Sequence, residues 1–189
     1  FTESMRRFGN DKPDLRFGMP FSNVTEHLRV TEFRVISSAL EQGGVVIALN
    51  LEGKAELSRK EVSELEELAR GSGLQGILPL KVTNDGFAGV LVGKTSDDVL
   101  RAVAQSVNAK SGDLILMGIG AKEPLQKGMG VFRKKLADKF ALYDPEDHNH
   151  PSIFWVVDFP LFERDETAGE VFPSHHPFTG FHPDDAHML

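Results

Sequence analysis

Four short apolar runs alternate with amphipathic stretches through the middle of the chain, and this alternation limits the fold more than any other feature. The runs are "GVVIALNL" (44–51), "LQGILPLKV" (74–82), "GFAGVLVG" (86–93) and "DLILMGIG" (113–120). Each is long enough for a strand and far short of the ~20 residues a membrane helix needs. Between them lies "SRKEVSELEELARGSG" (58–73). Ser58 and Glu61 form a capping box there, Val62, Leu65, Leu68 and Ala69 share a helical face, and Gly71 is placed to stop the helix. A second helix is expected from Ser96 to about Asn108 on Leu100, Val103, Ala104 and Val107. A third is expected from Glu123 to Ala141 on Leu125, Met129, Phe132, Leu136 and Phe140. On that third helix Lys127, Arg133, Lys134, Lys135 and Lys139 read as a solvated outer face.

"EFRVIS" (32–37) reads as one further strand, and "NDG" (84–86) as the turn between the second and third runs. The expectation is an α+β unit over 32–143, a mixed or antiparallel sheet with about three helices. It has two unlike flanks. Residues 1–31 contain the turn-rich "NDKPDLRFGMP" (10–20), and residues 144–189 contain the intensely apolar "SIFWVVDFPLFE" (152–163). The latter suits a strand of a larger sheet, with Phe154 and Trp155 in its core. Asp158, an acid inside that run, needs a backbone or arginine partner or an exposed end. In the turn, Asp11, Lys12 and Asp14 read as structural, with Arg16 able to pair with either aspartate.

Charge is divided in the same way. The net −7 conceals ten acids against Arg164 alone in residues 144–189, which leaves the body mildly basic. Zero cysteines remove disulfides and thiolate metal sites and fit a reducing compartment. "FTESMRRFGNDK" has no apolar stretch after its arginines, so it is not a signal peptide. The start at Phe1 and the end at "DAHML" read as a piece of something longer.

Two motifs invite chemistry. "GVLVGKTS" (89–96) approximates a phosphate-binding loop, but Ala88 stands where the first glycine belongs. Val90, Leu91 and Val92 suit a buried strand better than an exposed amide cradle. The second motif is histidine-rich. Six of the seven histidines fall in 148–189, yet no zinc spacing is present, so His148, His150, His182 and His187 read as solvated. His175 and His176 differ. They follow a predicted strand, "EVFPS", and precede a rigid "PFT" turn, a setting that holds imidazoles for a carboxylate ligand.

"NDKPDLRFG", "FWVVDFPLFE" and "HHPFT", in this order and with about 110 residues between the first two, resemble bacterial-type aspartyl-tRNA synthetases of class II. The resemblance implies an antiparallel catalytic sheet interrupted by a GAD insertion domain. On it, the chain leaves the catalytic domain at "DKPDLR" and returns on "WVVDFP". It further implies ATP- and Mg2+-dependent activation of L-aspartate to aspartyl-adenylate and transfer to tRNA-Asp, with tRNA-Asn as a second acceptor in a less selective parent. His175, with His176 beside it, would contact aspartate from a closing loop. The chain departs from the family at Asn10, where serine is usual, and at Gly180–Phe181, where Ser-Pro or Ala-Pro often stands. The family's upstream and downstream arginine motifs and its anticodon-binding barrel are absent, so no catalytic residue and no metal ligand is assigned within these residues. The fragment is expected to be inactive alone, and the parent to be a cytoplasmic or organellar homodimer. Two other readings stand beside this one: a non-catalytic GAD module for tRNA or subunit contact, as in a tRNA-dependent amidotransferase, and a small histidine-rich metal protein.

Overall fold

A computed structural model describes residues 1–146, 153–164, 169–174 and 183–188. The chain opens with helix α1 (Thr2–Phe8) and a coil to residue 21. Strand β1 (Ser22–Asn23), the short α2 (Thr25–Leu28) and α3 (Arg34–Glu41) follow. Next come β2 (Val45–Leu51), α4 (Arg59–Arg70), β3 (Leu78–Thr83), β4 (Gly86–Gly89), α5 (Asp97–Ser106), β5 (Leu114–Gly120) and α6 (Lys122–Lys139). The five strands form one antiparallel sheet in the order β1-β2-β5-β3-β4. The fold class is therefore α+β, as the sequence implied.

The continuous apolar runs exist because β2 and β5 are buried on both faces, where alternation would expose a side chain to another layer rather than to water. Ile47, Leu49, Leu51, Leu114 and Leu116 meet α4 and α6 on one face. Val46, Ala48, Ile115 and Met117 meet α2, α3 and α5 on the other. The register seats Leu49 opposite Leu116 and Ala48 opposite Met117. Each fully buried Leu or Ile on these strands contributes about 1.5–3 kcal/mol.

Ser58 caps α4 reciprocally with Glu61, as its spacing predicts: Ser58 Oγ accepts from the Glu61 amide at 3.3 Å, and the Ser58 amide donates to Glu61 Oε2 at 2.8 Å. Gly71 is the C-cap in right-handed geometry, and the left-handed residue is Gly73 (φ 85°). The β3–β4 hairpin closes with Thr83 opposite Gly86, at the predicted turn. One polar cluster interrupts the sheet core. Asp113 accepts from Asn50 Nδ2 (2.8 Å), the Gly53 amide (2.8 Å) and the Lys110 amide (2.9 Å). Burial works against the Asp113 charge, but these donors outweigh it and hold the carboxyl below its ordinary value.

Several expectations fail for identifiable reasons. "EFRVIS" lies largely in helix α3, because Phe33, Ile36 and Leu40 share one face at helical spacing while Val35 is exposed. Its β-branched residues point to a strand only when that spacing is ignored. The strand expected over "GFAGVLVG" ends at Gly89. Leu91 alone is buried from the next three residues, while Val90 and Val92 face solvent. Lys94 and Thr95 lead into α5, as the end of one element and the start of the next would require; Ser96 is its N-cap residue, without a capping side-chain bond, and the Thr95 hydroxyl bonds Thr31 Oγ1 at 2.5 Å. Residues 153–160 form no strand, and Trp155 is 91% exposed rather than core. Asp158 is exposed, in a left-handed conformation (φ 56°). A separate hairpin, β6 (Phe162–Arg164) with β7 (Val171–Pro173), realises part of the predicted "EVFPS" strand. The remaining correction is Arg133, which is 3% exposed.

Candidate functional site

His175 and His176 lie outside the described residues, as do His148, His150 and His182. His187 sits in the 3-10 turn Pro183–Met188, where its Nδ1 bonds the Asp184 carbonyl at 2.7 Å. The described residues assemble a different constellation, where "NDKPDLRFGMP" meets α6.

The turn is built from short side chains bonding nearby backbone. Asn10 Oδ1 accepts from the Lys12 amide (2.9 Å), and Ser4 Oγ donates to the Asn10 carbonyl (2.6 Å). Asp14 Oδ1 accepts from the Arg16 amide (3.1 Å) and Nε (3.0 Å), while Asp14 Oδ2 takes the terminal nitrogen (2.7 Å). Arg16 thus chooses Asp14 over Asp11. Its hydrogen bonds hold the Asp14 carboxyl below the usual range.

The guanidinium of Arg16 lies 4.1 Å over the ring of Tyr143, the sole tyrosine of the chain. That ring stacks on Phe17 with centroids 5.5 Å apart. Tyr143 also donates its hydroxyl to Asp138 (2.6 Å) and accepts from Lys134 Nζ (2.5 Å). The Lys134 donors bring the Asp138 carboxyl down, with Tyr143 assisting. For Lys134, burial opposes the charge, but the Asp138 and Tyr143 bonds leave its value raised.

Arg133 reaches inward beside this network. Its Nε donates to the carbonyls of Gly18 and Met19 (3.1 Å each). One terminal nitrogen donates to Asp14 (2.9 Å), Phe17 (2.9 Å) and Gly18 (2.7 Å). The Phe17 and Phe8 rings stand 4.2 and 4.9 Å from its central carbon. Burial pushes its pKa down to about 10, with Asp14 opposing, so the side chain stays cationic at neutral pH.

Placing Arg133 on the outer face was the error that hid this site. The helical stripe contains the signal. Met129 and Ala137, four residues either side of Arg133, are fully buried, so its row faces the core. Tyr143 carries no such mark, since only the folded chain brings it onto Arg16.

A cleft of about 690 Å³ opens alongside, between Asn10–Asp11, Lys127 and Lys134 of α6, and Glu163. Its lining mixes both charge signs. The shifts at this junction move Asp14 and Asp138 down and Lys134 up, away from neutrality. The side chains of the junction are engaged in mutual hydrogen bonds, an arrangement suited to clamping and positioning.

Residues 36–129 match the family model described as "GAD domain". The whole chain is 36% identical over 190 residues to an aspartate–tRNA ligase of Shouchella clausii, covering 32% of that protein. It is 37% identical over 190 residues to one from Enterococcus faecalis, again covering 32%. An aspartate–tRNA(Asp/Asn) ligase of Caldanaerobacter subterraneus is 35% identical over 189 residues, with 31% covered. The chain spans about a third of the length of these relatives. No helix among the described residues is long and apolar enough to cross a membrane.

Proposed function

We propose that this chain is the GAD-containing insertion region of an aspartate–tRNA ligase. The parent joins L-aspartate to tRNA-Asp, using ATP and Mg2+. The observation that carries the reading is similarity from one end of the chain to the other, with "DKPDLR", "WVVDFP" and "HHPFT" in order. The segments on either side of the sheet domain approach each other, with the Phe1 and Phe159 rings 5.1 Å apart.

On this reading His175 offers an imidazole N–H to the side-chain carboxylate of aspartate, and His176 supports it. A site built for that carboxylate rejects asparagine, whose amide lacks the charge. Among the described residues no three His, Cys, Asp or Glu side chains converge as a cation site. On this reading the nucleotide and its metal are held mostly by the rest of the parent.

The test is His175→Ala in the full-length ligase carrying this segment. The KM for aspartate should rise ~10-fold or more while that for ATP moves less than ~2-fold. Equal rises would sink the assignment. The fragment itself should give no aminoacylation above background.

One observation favours a second reading, a GAD module that contacts tRNA or a subunit without catalysis. Helices α2–α6 with Phe17, Met19 and Phe21 cover both sheet faces, and none of the described residues 153–164 and 169–174 belongs to either core cluster. Full-length protein that binds tRNA yet never aspartylates it would favour the module.

A further inference from the structure

Residues 1–21 touch α6 along a single row. Gly9, in left-handed conformation (φ 66°), packs so closely that a Cβ there would stand 1.9 Å from the Gln126 carbonyl oxygen. One turn further along α6, a Cβ on Gly130 would stand 2.8 Å from the carbonyl oxygens of both Gly9 and Phe8. Only glycine at both positions permits this backbone-to-backbone approach. Arg133 follows on the same face. Its guanidinium gathers the carbonyls of Asp14, Phe17, Gly18 and Met19, with rings from each end of the segment around it.

The loop pays for this convergence with strain, because Met19 adopts φ 62°, a conformation that side chains other than glycine rarely occupy. Four inward-facing carbonyls and a strained residue persist only while a donor set of matching shape satisfies them. A planar guanidinium has that shape, whereas an ammonium on a single stem does not. The exit from α6 grips the same loop, since Tyr143 stacks on Phe17 and lies under Arg16.

We propose that Arg133 is a latch that makes α6 and the segment Asp14–Phe21 one rigid unit, so that the GAD domain is mechanically coupled to the stretch carrying "DKPDLR" instead of hanging from it as a free module. The structural half needs no assumption about chemistry. The functional half, that anything seated on the GAD domain is felt at the catalytic-domain boundary, rests on the ligase reading above.

Amide hydrogen exchange on the 189-residue chain tests the latch. In Arg133→Met, the Phe21 amide, which donates to the Arg7 carbonyl at 2.7 Å, should exchange ~10-fold faster or more, while the amides of β2 and β5 stay within ~2-fold of wild type. Arg133→Lys should fall between the two. Unchanged exchange at Phe21 overturns the proposal, and so does equal acceleration in β2 and β5, which would make Arg133 general core support. If Arg133→Met does not fold, exchange of the wild-type chain in sub-denaturing urea decides instead. The latch requires the amides of Phe21 and α6 to share one unfolding isotherm, and separate isotherms overturn it. These outcomes are independent of the ligase reading, which fails separately if the full-length protein does not aspartylate tRNA.

Discussion

The two flanks of the sheet domain meet it on opposite terms. The leading flank, residues 1–21, is turn-rich and polar, yet Phe17, Met19 and Phe21 are each under 10% exposed. The trailing flank is far more apolar, yet Ile153 and Trp155 are about 90% exposed. Apolar content therefore does not decide which flank is buried. A segment is buried when its backbone polar groups find partners as well as its side chains. Arg133 supplies those partners to the leading flank. Among the described residues 153–160 no strand pairing forms.

Four measurements would break or sharpen that comparison. The largest effect is expected from Phe132→Ala. Phe132 is fully buried in the cluster that holds Phe17, Met19 and Phe21. Its loss should cost about 3–5 kcal/mol in urea unfolding. A cost below about 1 kcal/mol would mean that the leading flank does not depend on this cluster. Gly130→Ala comes next, at about 1–3 kcal/mol, because the new Cβ meets two backbone carbonyls that cannot move without undocking α1. Full tolerance of alanine would contradict the close approach.

Acid is the third probe. Asp14 and Asp113 are both held below their ordinary values, so each binds fewer protons folded than unfolded. Their stabilisation is complete above the unfolded value of about 4 and drains away as pH falls through the lower folded values. The urea midpoint should therefore fall steadily below about pH 4. Asp113→Asn should flatten that limb more than Asp14→Asn, because the Asp113 donors sit in the sheet interior while Arg16, the partner of Asp14, is screened by solvent. The reverse order would shift the acid sensitivity from the sheet to the leading flank. The smallest effect belongs to Trp155→Ser, expected within about 0.5 kcal/mol of wild type. As the sole tryptophan, Trp155 also reports directly. Its emission should be that of a water-exposed indole, freely quenched by acrylamide, and a shielded spectrum would refute the exposed trailing flank.

The sheet was legible because β2 and β5 announce themselves as continuous apolar runs, and α4 through its Ser58–Glu61 box. Helix α3 was not, because β-branched content masked its helical spacing. The latch was half legible. Asp14–Arg16 is a local turn that spacing suggests, while Arg133 sits 114 residues from Met19. A single charged residue in a lysine-rich helix looks like its neighbours until a partner surface exists.

What the sequence alone determined is whatever depends on neighbours in the chain: strand and helix periodicity, the caps, the hairpin turn, and the motifs that carry the family resemblance. Only the tertiary structure decided which charge on α6 turns inward and which flank docks. Burying a guanidinium is favourable only where several carbonyls converge on it at once, and that convergence exists only in the folded chain.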